Sequence, residues 1–320
     1  MLIGHLEQQQ AFLTAFGGAR AHHAWLLAGP PGIGKAAFAR AAALHVLASA
    51  AGPTDGISTD RLAVDPDHRV ARLLASASHP DFRLLERVPN EKTGKMNAQI
   101  LIGQIRSFQG VFQNKPSYSD WRVVIIDSVD DVREGAANAL LKTLEEPPPN
   151  TLLLLVSHAP GRLLPTIRSR CRTLRFKPLS EADVSEVLAA ELPDLAAAER
   201  SALAKLAEGS PGRAMRFAGL DVAALDAALD NLAGSGAEAL ALGLARSLAG
   251  KTAQPRYEAF LELAPAYLAK AARQRHGGSL AHTISLWERA NSLASDALPL
   301  ALDPQAVAFE LASLVSELRR

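Results

Sequence analysis

The chain has 320 residues with 34 Lys and Arg against 33 Asp and Glu, a net charge of +1 that gives no global field able to hold a polyanion. Hydrophobic residues make up 48% and aromatics only 5%, which predicts Ala-, Leu- and Val-filled cores, much helix, and several domains rather than one. The single cysteine, Cys171, excludes an internal disulfide. The opening segment is too polar for a signal peptide and no apolar run reaches bilayer length, so a cytoplasmic protein with no membrane partner is expected.

Residues 6–20 read as an amphipathic helix and residues 25–28 as a buried strand. A glycine-rich turn then opens an Ala-rich helix over about 35–48, and strand, turn and helix in that order begin a βαβ unit. Residues 51–78 are broken by Gly, Pro, Asp and Ser, which predicts an insertion of low order or small helices. Strands are expected over 81–88, 122–126 and 151–157, the last two apolar throughout, as in a parallel sheet covered on both faces. Helices over 98–112 and 134–144 lie between them, the second stopped by Pro147, Pro148 and Pro149. An extended segment ends at Pro178, and Ser180 is placed to cap a helix, so the first domain is set at residues 1–178. No strand is predicted beyond it: residues 179–219 form a small helical lid and 220–320 a helical collar, with 234–236 and 277–278 as turns.

Gly29, Pro30, Pro31, Gly32, Ile33, Gly34 and Lys35 fit GxxxxGK, in which backbone N–H groups curl around phosphate oxygens and the lysine reaches the outer phosphates. The helix N-terminus behind the loop adds its positive dipole end. The next position, where a hydroxyl would bind magnesium, is Ala36. ATP or ADP is therefore compatible with the loop, with magnesium weakly organised. Asp127 ends an apolar strand where a carboxylate helps to hold that metal, although alone it reads equally well as a turn residue. Ser128 follows, where an ATPase of this kind has a glutamate to polarise water, and a hydroxyl cannot act as that base. Loss of both groups argues for a site that does not turn over.

The run Asn138-Ala139-Leu140-Leu141-Lys142-Thr143-Leu144-Glu145-Glu146-Pro147-Pro148, then a strand, then Ile167-Arg168-Ser169-Arg170-Cys171, resembles the bacterial clamp-loader AAA+ family. The likeness includes His22 to Leu27 and His79 to Phe82, covers most of residues 1–215 and fades beyond. It implies an α/β P-loop (AAA+) domain with a parallel sheet, a small helical lid and an all-α collar. It also implies a heteropentameric DNA polymerase III loader, with motor (gamma/tau) and delta subunits, that places a sliding clamp on primed DNA without sequence-specific readout. Within the family the Ser-Arg-Cys motif makes Arg170 an arginine finger aimed at a neighbour's ATP, whose charge such a fork stabilises. Without that motif, Arg168, Arg170 and Arg172 read as exposed charges at alternate positions of a loop-to-strand segment. The resemblance places Ile3 and Gly4 over the adenine and makes Ser157 a polar sensor of the γ-phosphate. Arg213, one position out of step with the family's lid arginine, reads as structural, and Cys171 as a small buried hydrophobe. Family members often carry a four-cysteine zinc module near residues 51–80, but only His68 and His79 stand here, so no zinc is expected. Arg83, Arg87, Lys92, Lys95, Arg106 and Lys115 form a scatter that reads as a solvated face. The alternatives left open are an active motor subunit and a scaffold with an empty loop.

Overall fold

The computed structural model of the chain describes residues 2–18, 22–90, 94–101, 103–105, 115–235 and 238–319. Among them, β1 (Ala24–Ala28), β2 (Phe82–Glu86), β3 (Arg122–Asp127), β4 (Thr151–Ser157) and β5 (Arg172–Arg175) form one sheet in the order β2-β3-β4-β1-β5. Every pairing is parallel. Helices α1 (Leu6–Phe16), α2 (Lys35–Ala50), α3 (Arg69–Ala75), α4 (Glu134–Glu145) and α5 (Pro165–Arg170) accompany it, and α6 (Glu181–Glu191), α7 (Ala197–Leu206) and α8 (Pro211–Phe217) follow in the chain.

The interior strands β1 and β4 are buried at every position. Successive side chains of a strand point to opposite faces, so each feeds two cores. Trp25, Leu27, Val123, Ile125, Leu152 and Leu154 pack with Phe12 of α1 and with Phe38, Ala42 and Val46 of α2. Leu26, Val124, Ile126, Leu153 and Leu155 pack on the other face with Ala136, Leu140 and Leu144 of α4 and Ile167 of α5.

The expected α/β domain is present, and four of its five strands lie where the apolar runs predict them. The fifth, β5, is the extended segment before Pro178; it is short, and only Leu174 is buried. Arg168 and Arg170 do not lie in the loop of a loop-to-strand segment. Pro165 opens α5 and Ile167 anchors it, so both arginines occupy a helix and only Arg172 lies on β5. The helix expected over 98–112 falls largely outside the described residues, as do Lys92 and Arg106.

The insertion has order of its own. Leu62 is buried, its N–H bound at 3.0 Å to Oε1 of Gln9 on α1, and Ile57 bridges Val64. His68 caps α3, accepting from the Val70 N–H. His79 accepts from the Asp81 N–H at 3.1 Å.

The chain forms two compact units, residues 1–187 with 208–212, and residues 188–207 with 213–320. Among its described residues the second carries helices and no strand. Its centre is α13 (Pro304–Ser316), where Val307, Leu311, Leu314 and Val315 are buried and Asp303 caps the first turn through the Ala306 N–H. Around it run α9 (Val222–Ser235), α10 (Glu238–Leu248), α11 (Gln254–Ala272) and α12 (Gly277–Ala297). Of the turn expected over 234–236, Gly234 and Ser235 close α9 and residue 236 lies outside the described residues. The turn expected at 277–278 is corrected, because Gly277, at φ 57°, opens α12 with Gly278 inside it, a glycine at a helix start tolerating the entry geometry without unwinding the first turn.

Asp81 organises the approach to β3. At 2% exposure its carboxylate accepts the N–H groups of Ser117, Tyr118 and Ser119 at 2.7, 2.8 and 3.0 Å. Asp81→Ala would strand those donors, and should lower the first unit's stability to urea by about 3 kcal/mol. Asp81→Asn, with one carbonyl oxygen, should recover only part of it. A loss within error of zero for the alanine variant would show that these hydrogen bonds do not hold the segment.

Candidate functional site

In a parallel sheet all strands end on the same edge. Ala28 lies opposite Ser157 and Arg175, and Asp127 opposite Val156, which brings the loop after β1, the carboxylate ending β3 and the hydroxyl ending β4 to that edge. The loop's backbone demands its glycines. A Cβ on Gly29 would meet the Phe176 carbonyl oxygen at 2.6 Å, and Gly34, at φ 98°, takes a left-handed conformation that turns the chain into α2.

Behind the loop sits His5, which composition and motif gave no reason to select. Its Nε2 is 2.7 Å from the Ile33 carbonyl oxygen and its ring stands edge-on to Phe176 at 4.9 Å. A carbonyl only accepts, so Nε2 carries the proton. Burial pushes the imidazole pKa below its ordinary value, with the Ile33 bond opposing, which favours the neutral ring. Next to it, Ile3 is buried, and Gly4, at φ 74°, accepts at its carbonyl from Gln9 Nε2 at 2.8 Å. A Cβ on Gly4 would strike Leu179. Residues 209–212 close on the loop from another direction: Ser210 Oγ donates to the Pro31 carbonyl at 3.2 Å and the Gly212 N–H to that of Gly32 at 2.9 Å. A Cβ on Gly212 would lie 2.9 Å from the Gly32 α-carbon, so glycine permits this approach. Arg213, the next residue, belongs to the second unit, where it pairs with Glu262 at 3.5 Å and stacks its guanidinium over Phe217.

Lys35 is 2% exposed and its ammonium donates to the carbonyls of Gly29 and Pro30 at 2.7 and 2.5 Å. Burial pushes its pKa down to about 8, while Asp127 and Asp130 pull it up. Asp130, another residue that motif reasoning passed over, holds the ends together. One carboxylate oxygen accepts from Ser157 Oγ at 2.9 Å and from the Ala159 N–H at 3.1 Å, the other from the His158 N–H at 2.6 Å. Ser128, buried, turns its hydroxyl to Asp131 at 3.2 Å.

The donor set fits a phosphate chain better than a working metal. Loop amides, the α2 N-terminus and Lys35 are present, whereas Ala36 offers no ligand and, of the two acidic functions, only Asp127 remains.

Arg170 is elsewhere. It closes α5 just before β5, whose Arg172 pairs with Trp25 near the start of β1. The loop follows Ala28, three residues further along, which is about 10 Å at 3.3 Å per residue. Arg170 thus leads into β5 near the start of β1, and its guanidinium is held there by groups outside the loop. Its side chain is 34% exposed, paired with Glu145 Oε1 at 2.7 Å and donating to the Thr166 carbonyl at 3.0 Å. Cys171 beside it is buried with its thiol pushed up to about 12 by that burial, which disfavours the thiolate a nucleophile needs.

Residues 4–180 match the sequence profile of the family described as "DNA polymerase III, delta subunit". The chain belongs to that family. DNA polymerase III subunit delta' of Pseudomonas aeruginosa is 38% identical to it over 216 residues, 67% of this chain and 61% of that protein. The subunits of the same name from Bacillus subtilis and Escherichia coli are 33% and 30% identical, over 53% and 64% of this chain and 46% and 57% of their own lengths. The chain thus spans less than two thirds of each of these relatives. A DNA polymerase III gamma subunit-related protein of Thermotoga maritima, of known structure, aligns over 99% of this chain and 100% of its own at 16% identity, with a TM-score of 0.45. The family match takes in the loop, Asp127, Ser157 and Arg170 and ends at residue 180, before the helical unit. No helix among the described residues is long and apolar enough to cross a membrane.

The lysine carries a pH signature. Its shift from 10.5 to about 8 corresponds to roughly 3 kcal/mol against the folded, protonated form. Between those values the unfolded chain binds more protons than the folded one, so this group's contribution improves as pH rises. Lys35→Met should therefore stabilise the chain at neutral pH, and its advantage should shrink as pH climbs from about 8 toward 10.5. Urea unfolding of both proteins across that range checks it; an advantage that grows with pH would contradict the assignment.

Proposed function

We propose that this chain is a delta-prime subunit of a bacterial DNA polymerase III clamp loader, lending Arg170 to the ATP site of a neighbouring motor subunit and not hydrolysing nucleotide itself. The observation that supports the trans role is the position of Arg170: it leads into β5 near the start of β1, is held by Glu145 and the Thr166 carbonyl rather than by the loop, is partly open to solvent and lies in the segment matched by the family. A guanidinium keeps its charge under all physiological conditions and offers donors in a planar fork matching phosphoryl oxygens. Brought against a neighbour's triphosphate, it stabilises charge that builds on the transferring group without taking or giving a proton.

The chain's own loop fits a holding role. Phosphates would be met by the amides between Gly29 and Lys35 and by the Lys35 ammonium, which must first leave the Gly29 and Pro30 carbonyls. Ala36 and Ser128 supply neither the magnesium ligand nor the base, so a nucleotide there is an occupant and not a fuel. The partners on this reading are motor (gamma/tau) and delta subunits, a sliding clamp and primed DNA.

Reconstitution with motor and delta subunits tests it. Arg170→Ala should leave assembly intact and slow the adjoining motor site on the order of 10³-fold, seen as a fall in DNA-stimulated ATP turnover. Turnover equal to wild type would remove the finger role. The isolated chain should bind a fluorescent ATP analogue, lose it on Lys35→Ala, and show no magnesium-dependent ATPase; turnover abolished by the same change would instead make it a motor.

A further inference from the structure

The partner of Arg170 is itself oddly placed. Glu145 is the last residue of α4, and a helix C-terminus carries partial negative charge, so a carboxylate there has the wrong sign for its own helix. Arg170 ends α5, where a cation is favoured, and the two helix ends meet with Nη2 2.7 Å from Oε1.

Exposed ion pairs are commonly loose because two long side chains must be ordered together. This one is held at both roots. Leu144, preceding Glu145, is buried, and its carbonyl accepts from His23 Nε2 at 3.2 Å. Ile167 and Cys171, on either side of Arg170, are buried in the same core as Leu144. The guanidinium is then bound through two different nitrogens, Nη2 to Glu145 and Nη1 to the Thr166 carbonyl at 3.0 Å, which fixes both the direction and the rotation of its plane. A guanidinium has five N–H donors, so others remain for an incoming anion.

We propose that Glu145 is a positioning residue for Arg170, acting as a hydrogen-bond acceptor that presets the fork before a neighbour's phosphates arrive. The proposal rests on the finger reading above. It deepens that reading by placing the second half of the device in the Glu145-Glu146-Pro147-Pro148 segment, more than twenty residues upstream in sequence. Donors aimed in advance accelerate a reaction because no reorganisation is needed as charge develops. Glu145 also takes up part of the guanidinium's field, so a parked arginine and a preset one predict opposite outcomes when the carboxylate is removed.

The test uses the full chain reconstituted with its motor and delta subunits, reading kcat and KM for ATP in DNA-stimulated turnover. Glu145→Ala should lower kcat about tenfold with KM changed less than about twofold, the cost of a misaimed group rather than of lost nucleotide affinity. Glu145→Gln keeps an acceptor and should retain at least half of the wild-type kcat. In an Arg170→Ala background, Glu145→Ala should add nothing. An unchanged or raised kcat for Glu145→Ala, a glutamine variant as impaired as alanine, or an equal fractional loss in the Arg170→Ala background would each overturn the proposal. If Arg170→Ala lowers turnover and Glu145→Ala does not, positioning falls and the finger stands; if Arg170→Ala itself is silent, both fall.

Discussion

A strand buried on both faces has nowhere to put a polar group except its ends. β1, β3 and β4 are apolar along their length because alternate side chains serve two separate cores, and this constraint orders everything reactive in the first unit. Asp127 and Ser157 stand at the carboxyl ends of β3 and β4, Arg122 and Thr151 at the opposite ends, and only apolar residues lie between. The parallel arrangement then gathers these ends, with the loop after β1, along one edge. At the other edge the connections into the strands collect Glu145 before β4 and Arg170 before β5. One sheet thus keeps two charged features apart: the glycine loop with Lys35 at its carboxyl end and the Arg170 fork toward its amino end.

The cradle is tied down from three sides. His5 holds the Ile33 carbonyl, residues 209–212 hold those of Pro31 and Gly32, and Lys35 holds those of Gly29 and Pro30. Loop carbonyls turned to these partners leave amides for an anion, which is the polarity a phosphate requires. The lysine's part in this is at odds with its own solvation. A buried ammonium satisfied by two carbonyls and two nearby carboxylates still loses more by leaving water than it regains, as its depressed pKa records. Such local cost is characteristic of positions kept for binding rather than for stability.

What the sequence makes legible is whatever depends on local backbone or local pattern. Glycines at 29 and 34 announce the loop because no other residue fits those conformations, and the unbroken apolar runs announce β3 and β4. The family motif singles out Arg170. His5, Asp81 and Asp130 stay hidden because their roles exist only after folding: Asp130 meets Ser157 across 27 residues, Asp81 meets Ser117 across 36, and His5 meets Ile33 across 28. The spacing of Arg168, Arg170 and Arg172 misleads in an instructive way. Alternation of charges is a strand pattern, but Pro165 sets the backbone for a helix, and Ile167 and Cys171, four apart, give that turn its buried side.

On the proposed reading, the separation of Arg170 from its own loop lets the fork serve a neighbour independently of what the loop does. In a site where one polypeptide supplies loop, metal ligand, base and finger, each loss degrades the rest, because groups that act as a unit are not additive. Here the loop and the fork lie toward opposite edges of the sheet, in different environments, and neither touches the other. Ala36 and Ser128 are not among the groups that hold Arg170. The fork depends instead on Glu145, Thr166 and the core beneath α4 and α5. On the proposed reading, a chain built this way keeps its fork available to another protein whatever occupies its own loop.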